Sequence, residues 1–160
     1  MTFILESFLA CAAFAIFVFI MSRDPVKMIF NYPPEIVERC KKLGLVDESN
    51  RPGGLVYYVK KIAALILFGV LLGLLVSYVN GCDTFWEGAL TAYALFCVVN
   101  WFDVIVLDCV WFCHDEHFVI PGTEDMTEDY QDYWFHIEGG LIGMLLGIPA
   151  ALIAGVVTVL

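Results

Sequence analysis

Apolar residues fall into four long runs, at positions 3–21, 62–79, 89–112 and 137–160, and most polar and charged residues collect between them. Each run approaches or exceeds the ~20 residues with which an α-helix crosses the hydrocarbon core of a bilayer. The runs show neither the alternation of a half-buried strand nor the one-sided stripe of a helix on a water-soluble core. They predict four membrane helices, with connecting segments 22–61 and 113–136 on one side and a short turn around residues 80–88 on the other. A helix satisfies all its backbone groups internally, which the interior of a bilayer requires.

Charge orients this arrangement. All eight Lys and Arg residues lie between Arg23 and Lys61, and none occurs in the last 99 residues. Loops on the cytoplasmic side of membrane proteins keep an excess of basic residues, so segment 22–61 is expected inside. The expected fold class is therefore all-α: a polytopic four-helix membrane bundle of one domain, in the cell inner (plasma) membrane, with both termini outside. Residues 1–7 lack the basic leader of a cleavable signal, so the first run is expected to stay as a helix.

The two inner segments differ in sign. Segment 22–61 carries eight basic against five acidic side chains (Asp24, Glu35, Glu38, Asp47, Glu48), whereas residues 113–138 carry eight acidic and no basic ones. Mutual neutralisation is the plain role for these charges, within a small cytoplasmic cap. A cation-collecting vestibule is the sharper one. With a formal net charge of −10 and no strongly basic face, nucleic acid is excluded as a partner. Six cysteines (Cys11, Cys40, Cys82, Cys97, Cys109, Cys113) show no disulfide-framework spacing, and three of them fall inside apolar runs.

Within the basic segment, residues 33–44 carry proline at the start, acid in the first turn, base in the last and Gly44 as a stop, which together predict a short helix. Its stripe of Ile36, Val37, Cys40 and Leu43 would lie on the inner membrane interface or dock a partner. Arg51-Pro52-Gly53-Gly54 breaks the chain before the second run. In the acidic segment Pro121-Gly122 marks a turn, and Thr127 is placed to cap a short helix.

Small residues suggest how helices meet. Gly69 and Gly73 are spaced i, i+4 in the second run, and Gly139, Gly143 and Gly147 continue that spacing in the fourth. Such spacing lets backbones approach closely in membranes. The second and fourth helices can use these faces on each other, or present them to a second copy or a partner membrane protein. Pro149 is expected to kink the fourth helix.

The third run carries the candidate chemistry. Asn100, Asp103 and Asp108 interrupt an apolar span, and an Asp at the centre of a membrane helix costs about 2.5–3.5 kcal/mol on insertion scales. On an ideal α-helix Asp108 points about 140° away from Asp103, so the two are not expected to act as a dyad. Asp103 should face the bundle interior, protonated and bonded to Asn100 or a backbone carbonyl. Just beyond lies a second cluster: Cys113, His114 and His117, with His136 and Glu138 at the start of the fourth run. Thiolate, imidazole and carboxylate are ligands of divalent transition metals, although the spacing matches no established metal signature. Two ordinary histidines in a solvated acidic loop are the plainer reading.

Two stretches, Tyr32-Pro33-Pro34-Glu35-Ile36-Val37-Glu38-Arg39 and the set formed by Leu107-Asp108, residues 120–124 and residues 129–136, resemble a set of small bacterial multi-helix integral membrane proteins of unassigned function. The resemblance covers about a third of the chain and implies a prokaryotic four-helix membrane protein without implying an activity. The sequence departs from that set at Ile137-Glu138-Gly139, where a basic residue is expected. Three functional classes follow: a protein handling an ion, proton or small ligand at Asn100, Asp103 and Asp108; a metal-dependent enzyme at the inner interface using Asp108, Cys113, His114, His117 and His136; and a non-catalytic accessory subunit or scaffold.

Overall fold

The computed structural model describes residues 2–46 and 53–160. Asp47, Glu48, Arg51 and Pro52, to which the sequence assigned charge and a chain break, lie outside the described residues. Six α-helices and no strand occur among the described residues. They are α1 (Thr2–Met21), α2 (Pro34–Lys42), α3 (Gly54–Tyr78), α4 (Phe85–Phe102), α5 (Thr127–Tyr130) and α6 (Tyr133–Thr158). Four helical stretches, in α1, α3, α4 with its extension, and α6, are long and apolar enough to cross a membrane.

Two of these helices begin earlier than their apolar runs. Helix α3 starts at Gly54, two turns before the run, and carries Lys60 and Lys61 within it. Helix α6 starts at Tyr133 because Asp132 accepts a hydrogen bond from the Phe135 amide at 3.1 Å, an N-terminal cap. Hydropathy marks the apolar part of a helix, whereas capping marks its end. Thr127, expected as a cap, is instead the first residue of α5, with Met126 at the cap position and no side-chain bond there. Helix α6 continues through Pro149 to Thr158.

Helix α6 is the hub, with both α3 and α4 laid along it. Its inward positions are small: Gly140, Gly147, Ala150, Ala151, Ala154 and Gly155 are buried. A Cβ on Gly69 would lie 2.8 Å from Ile153 Cβ and 2.9 Å from the Ala150 carbonyl oxygen, and one on Gly73 would lie 2.6 Å from Val157 Cβ. These two glycines therefore bring α3 against α6, as their spacing suggested. Gly143 and Gly147 act differently: they receive Asn100 and Phe96 of α4. Gly139 meets nothing within 4 Å, so the three glycines of the fourth run are not one continuous face. Large side chains such as Ile4, Phe8, Leu67 and Leu145 point outward and are exposed, so the bundle is small inside and bulky-apolar outside.

The segments on either side of α2 and between α4 and α6 form a cap at one end of the bundle. Its core joins Ile29, Tyr32, Ile36 and Cys40 to Phe118, Ile120 and Tyr130. The α2 stripe is thus largely covered by the protein's own second connecting segment rather than left for an interface: Ile36 and Cys40 are buried, Val37 packs against the core, and Leu43 stays exposed. Gly44 ends α2 with φ of 71°, a left-handed conformation that suits glycine. Tyr32 donates to the Phe118 carbonyl at 3.2 Å, and burial raises its pKa well above the usual phenol range, so it stays a donor. Arg39 reaches across to the Gly122 carbonyl at 3.3 Å and to Asp125 at 3.5 Å. The charge pairing is real but exposed, and such pairs are worth at most about 1 kcal/mol. Apolar burial, not neutralisation, holds the cap.

Candidate functional site

Helix α4 does not end at Phe102 but continues over Asp103–Phe112 as a π-helix. The bond from the Cys113 amide to the Asp108 carbonyl at 3.0 Å shows the i→i+5 pattern. In such a helix residues five apart stack roughly one above the other, and π segments recur at functional sites. The α-helical projection that separated Asp103 from Asp108 therefore fails: both line one cavity of about 610 Å³. That cavity opens between α1 and α6, with the π segment as its floor.

His136, in the first turn of α6, faces the same cavity. Its Nδ1 lies 3.2 Å from Asp108 Oδ2, and the ring, only 5% exposed, is packed edge-on against Phe112 and Phe135. The other ring nitrogen, Nε2, is buried without a hydrogen-bond partner among the described residues. Asn100 behaves as helix glue: its side-chain amide donates to the Gly140 carbonyl of α6 at 3.1 Å. The expected Asn100–Asp103 bond is not made, and the Asp103 carboxyl has no hydrogen-bond partner among the described residues. It stands at a junction instead.

A second cavity of about 340 Å³ lies on the other side of α1, between α1 and α3. Its walls are Ala10, Phe14, Phe68, Leu72, Leu75, Leu95, Phe96 and Val99, with Glu6 also lining it from near the start of α1. Phe14, Asn100 and Asp103 line both cavities. Asp103 is the titratable group they share. Glu6 interrupts the first apolar run near one end. An acid within such a run was the available signal.

The candidate metal set does not assemble. Among the described residues no group of three or more His, Cys, Asp or Glu converges on a metal position. His114 Nε2 lies 3.0 Å from the Tyr133 hydroxyl, His117 Nε2 lies 2.8 Å from the Ser22 carbonyl, and Glu138 accepts from the Trp134 indole at 2.6 Å. Cys113 is buried, and desolvation together with the nearby Cys109 and Asp108 pushes its thiol up to about 12, far from the thiolate that binds metal. Asp115 turns away to accept from the His117 amide at 2.9 Å and the Trp111 indole at 2.8 Å, which holds its carboxyl below the usual carboxylate range. The i, i+3 and i, i+4 spacings would have shared a face only if the helix had run on past residue 112.

Comparison with protein-family models, curated proteins and solved structures finds no match for this chain. The site is therefore read from its own chemistry. It offers two carboxylates and an imidazole beside two cavities, with Asp103 making no hydrogen bond and no Lys or Arg lining either cavity among the described residues.

Proposed function

We propose that the protein lies in a cell inner membrane, with the cap on the cytoplasmic side and both termini outside, and handles a proton or small cation at Asp103. The orientation is supported by the confinement of every Lys and Arg to residues 23–61. The small-inside, bulky-outside packing suits lipid, where close backbone approach rather than hydrophobic exclusion holds helices together. The observation that carries the function is that Asp103 lines both cavities. An ionisable residue in a membrane helix is expensive, and one beside a cavity marks an ion or proton path.

Asp103 in this reading binds the cation or proton, and Asp108, paired with His136, is the next group toward the cap. Asn100 contributes by holding α4 on α6, which keeps the π segment against the cavity. The test is flux into vesicles reconstituted with the purified full chain, with Asp103→Asn as the isosteric variant that cannot carry the charge. Parent protein should move protons or sodium ions under an imposed potential, and Asp103→Asn should reduce that flux to the protein-free level with an unchanged unfolding temperature. Equal flux in parent and variant would remove Asp103 from the mechanism.

A further inference from the structure

Resting on the reading of Asp103 as the ion-handling group, we infer that the ion is a proton and that Glu6 is its acceptor at the end of the bundle away from the cap. Glu6, Ala10 and Phe14 follow one another at i, i+4, i+8 on α1, and all three line the smaller cavity. That stripe leads from Glu6 to the junction at Asp103 over about 12 Å along the helix. One Glu6 oxygen accepts from the Asn80 side chain at 2.8 Å, and the other, Oε1, is buried without a hydrogen-bond partner among the described residues. Asn80 Oδ1, on the amide that holds Glu6, is likewise buried and has no partner among the described residues. Buried polar atoms are normally satisfied, and this pair lies at the end of the bundle away from the cap, beside the turn between α3 and α4.

The groups around Glu6 select a proton over a metal cation. Glu6, Asn100 of α4 and Asp103 of the π segment are the polar side chains that line the cavity, Asn80 from the turn between α3 and α4 reaches Glu6, and no Lys or Arg is among the residues lining the cavity. A hard cation would need six or more oxygens close around it, whereas Glu6 and Asp103 are single carboxylates separated by apolar walls. Apolar walls offer a metal cation nothing in place of its hydration shell, whereas a file of waters passes a proton without desolvating an ion. The volume holds several waters. A proton from solution bonds to a Glu6 carboxylate oxygen. That O–H bond then breaks as the proton enters the water file, and the last water gives a proton to an Asp103 oxygen. Glu6 returns to carboxylate, and one positive charge has moved.

The experiment uses vesicles of phosphatidylethanolamine and phosphatidylglycerol containing the full chain, a trapped pH dye or a trapped sodium dye, and a valinomycin-set potassium potential. Parent, Asp103→Asn and Glu6→Gln are compared, with unfolding temperatures measured beside them. Glu6→Gln keeps the shape and the Asn80 bond but cannot titrate, so its proton flux should fall to the Asp103→Asn level in a folded protein. Parent-like flux in Glu6→Gln, with Asp103→Asn still silent, overturns the role of Glu6 and leaves Asp103 standing. Sodium flux without proton flux overturns the proton and keeps Asp103. No flux that depends on Asp103 removes both readings. Should Glu6→Gln fail to fold, Glu6→Asp decides: withdrawing the carboxyl by a methylene slows proton entry, and parent-like flux would overturn the inference.

Discussion

Single residues in this protein are tuned by what each hydrogen-bonding group can reach. Tyr130 illustrates it in the cap: its hydroxyl accepts from the Ile120 amide at 3.0 Å and pairs with Thr123 Oγ1 at 2.7 Å, and both Tyr130 and Thr123 are buried. Removing that oxygen leaves the buried Ile120 amide without its partner, while Thr123 Oγ1 keeps its bond to the Ile120 carbonyl at 2.7 Å, and an orphaned buried donor costs about 1–3 kcal/mol. Tyr130→Phe should therefore loosen the cap, seen as faster hydrogen exchange over residues 113–132 with the long helices unchanged. Parent-like exchange there would mean that apolar packing alone holds the cap. Asp103 is the opposite case, a carboxyl left facing cavities while its neighbour Asn100 is spent on α6. Which of two polar neighbours does which job is not written in residue types. It depends on where α6 places the Gly140 carbonyl.

At the scale of elements, the bundle depends on glycines in α3 and α6 used against different partners. Gly73 has no room for a side chain, since a Cβ would meet Val157 and the Ala154 carbonyl oxygen, which is backbone and cannot yield cheaply. Gly73→Leu should lower stability by about 1–3 kcal/mol or more, the range for forced overpacking, read as a drop in unfolding temperature in detergent. Gly139→Ala, in open space, should leave stability unchanged or raise it by up to about 1 kcal/mol through helix propensity. If the two variants behaved alike, the close approach of α3 to α6 would be wrong. The i, i+4 spacing announced that glycines would be used, but the assignment of Gly143 and Gly147 to α4 required the rotation of α6. The π segment is likewise an element-scale decision. Residues 103–112 read as an ordinary apolar helix, so the projection placed Asp103 and Asp108 on different faces, and only the i→i+5 bonds brought them to one cavity.

For the whole molecule the testable quantity is orientation. Cys82 lies in the short turn between α3 and α4 and is partly exposed, whereas Cys40 and Cys113 are buried in or beside the cap. A membrane-impermeant thiol reagent on intact cells should label the parent at Cys82 and lose that label in Cys82→Ser. A Leu45→Cys change at the exposed edge of the cap should label only after permeabilisation. The reverse pattern would invert the proposed topology. The sequence by itself determined the all-helical class, four helices of membrane-spanning length and the existence of a cap. These follow from run length, charge segregation and turn residues, which are local in the chain. Tertiary structure alone decided the covering of α2 by the acidic segment, the dispersal of His114, His117, His136 and Glu138 to separate partners with Cys113 buried apart, and the lining of two cavities by Asp103. Each of these depends on the rotation and register of helices from distant parts of the chain, and a uniformly apolar helix carries little in its own pattern to set which side faces which neighbour.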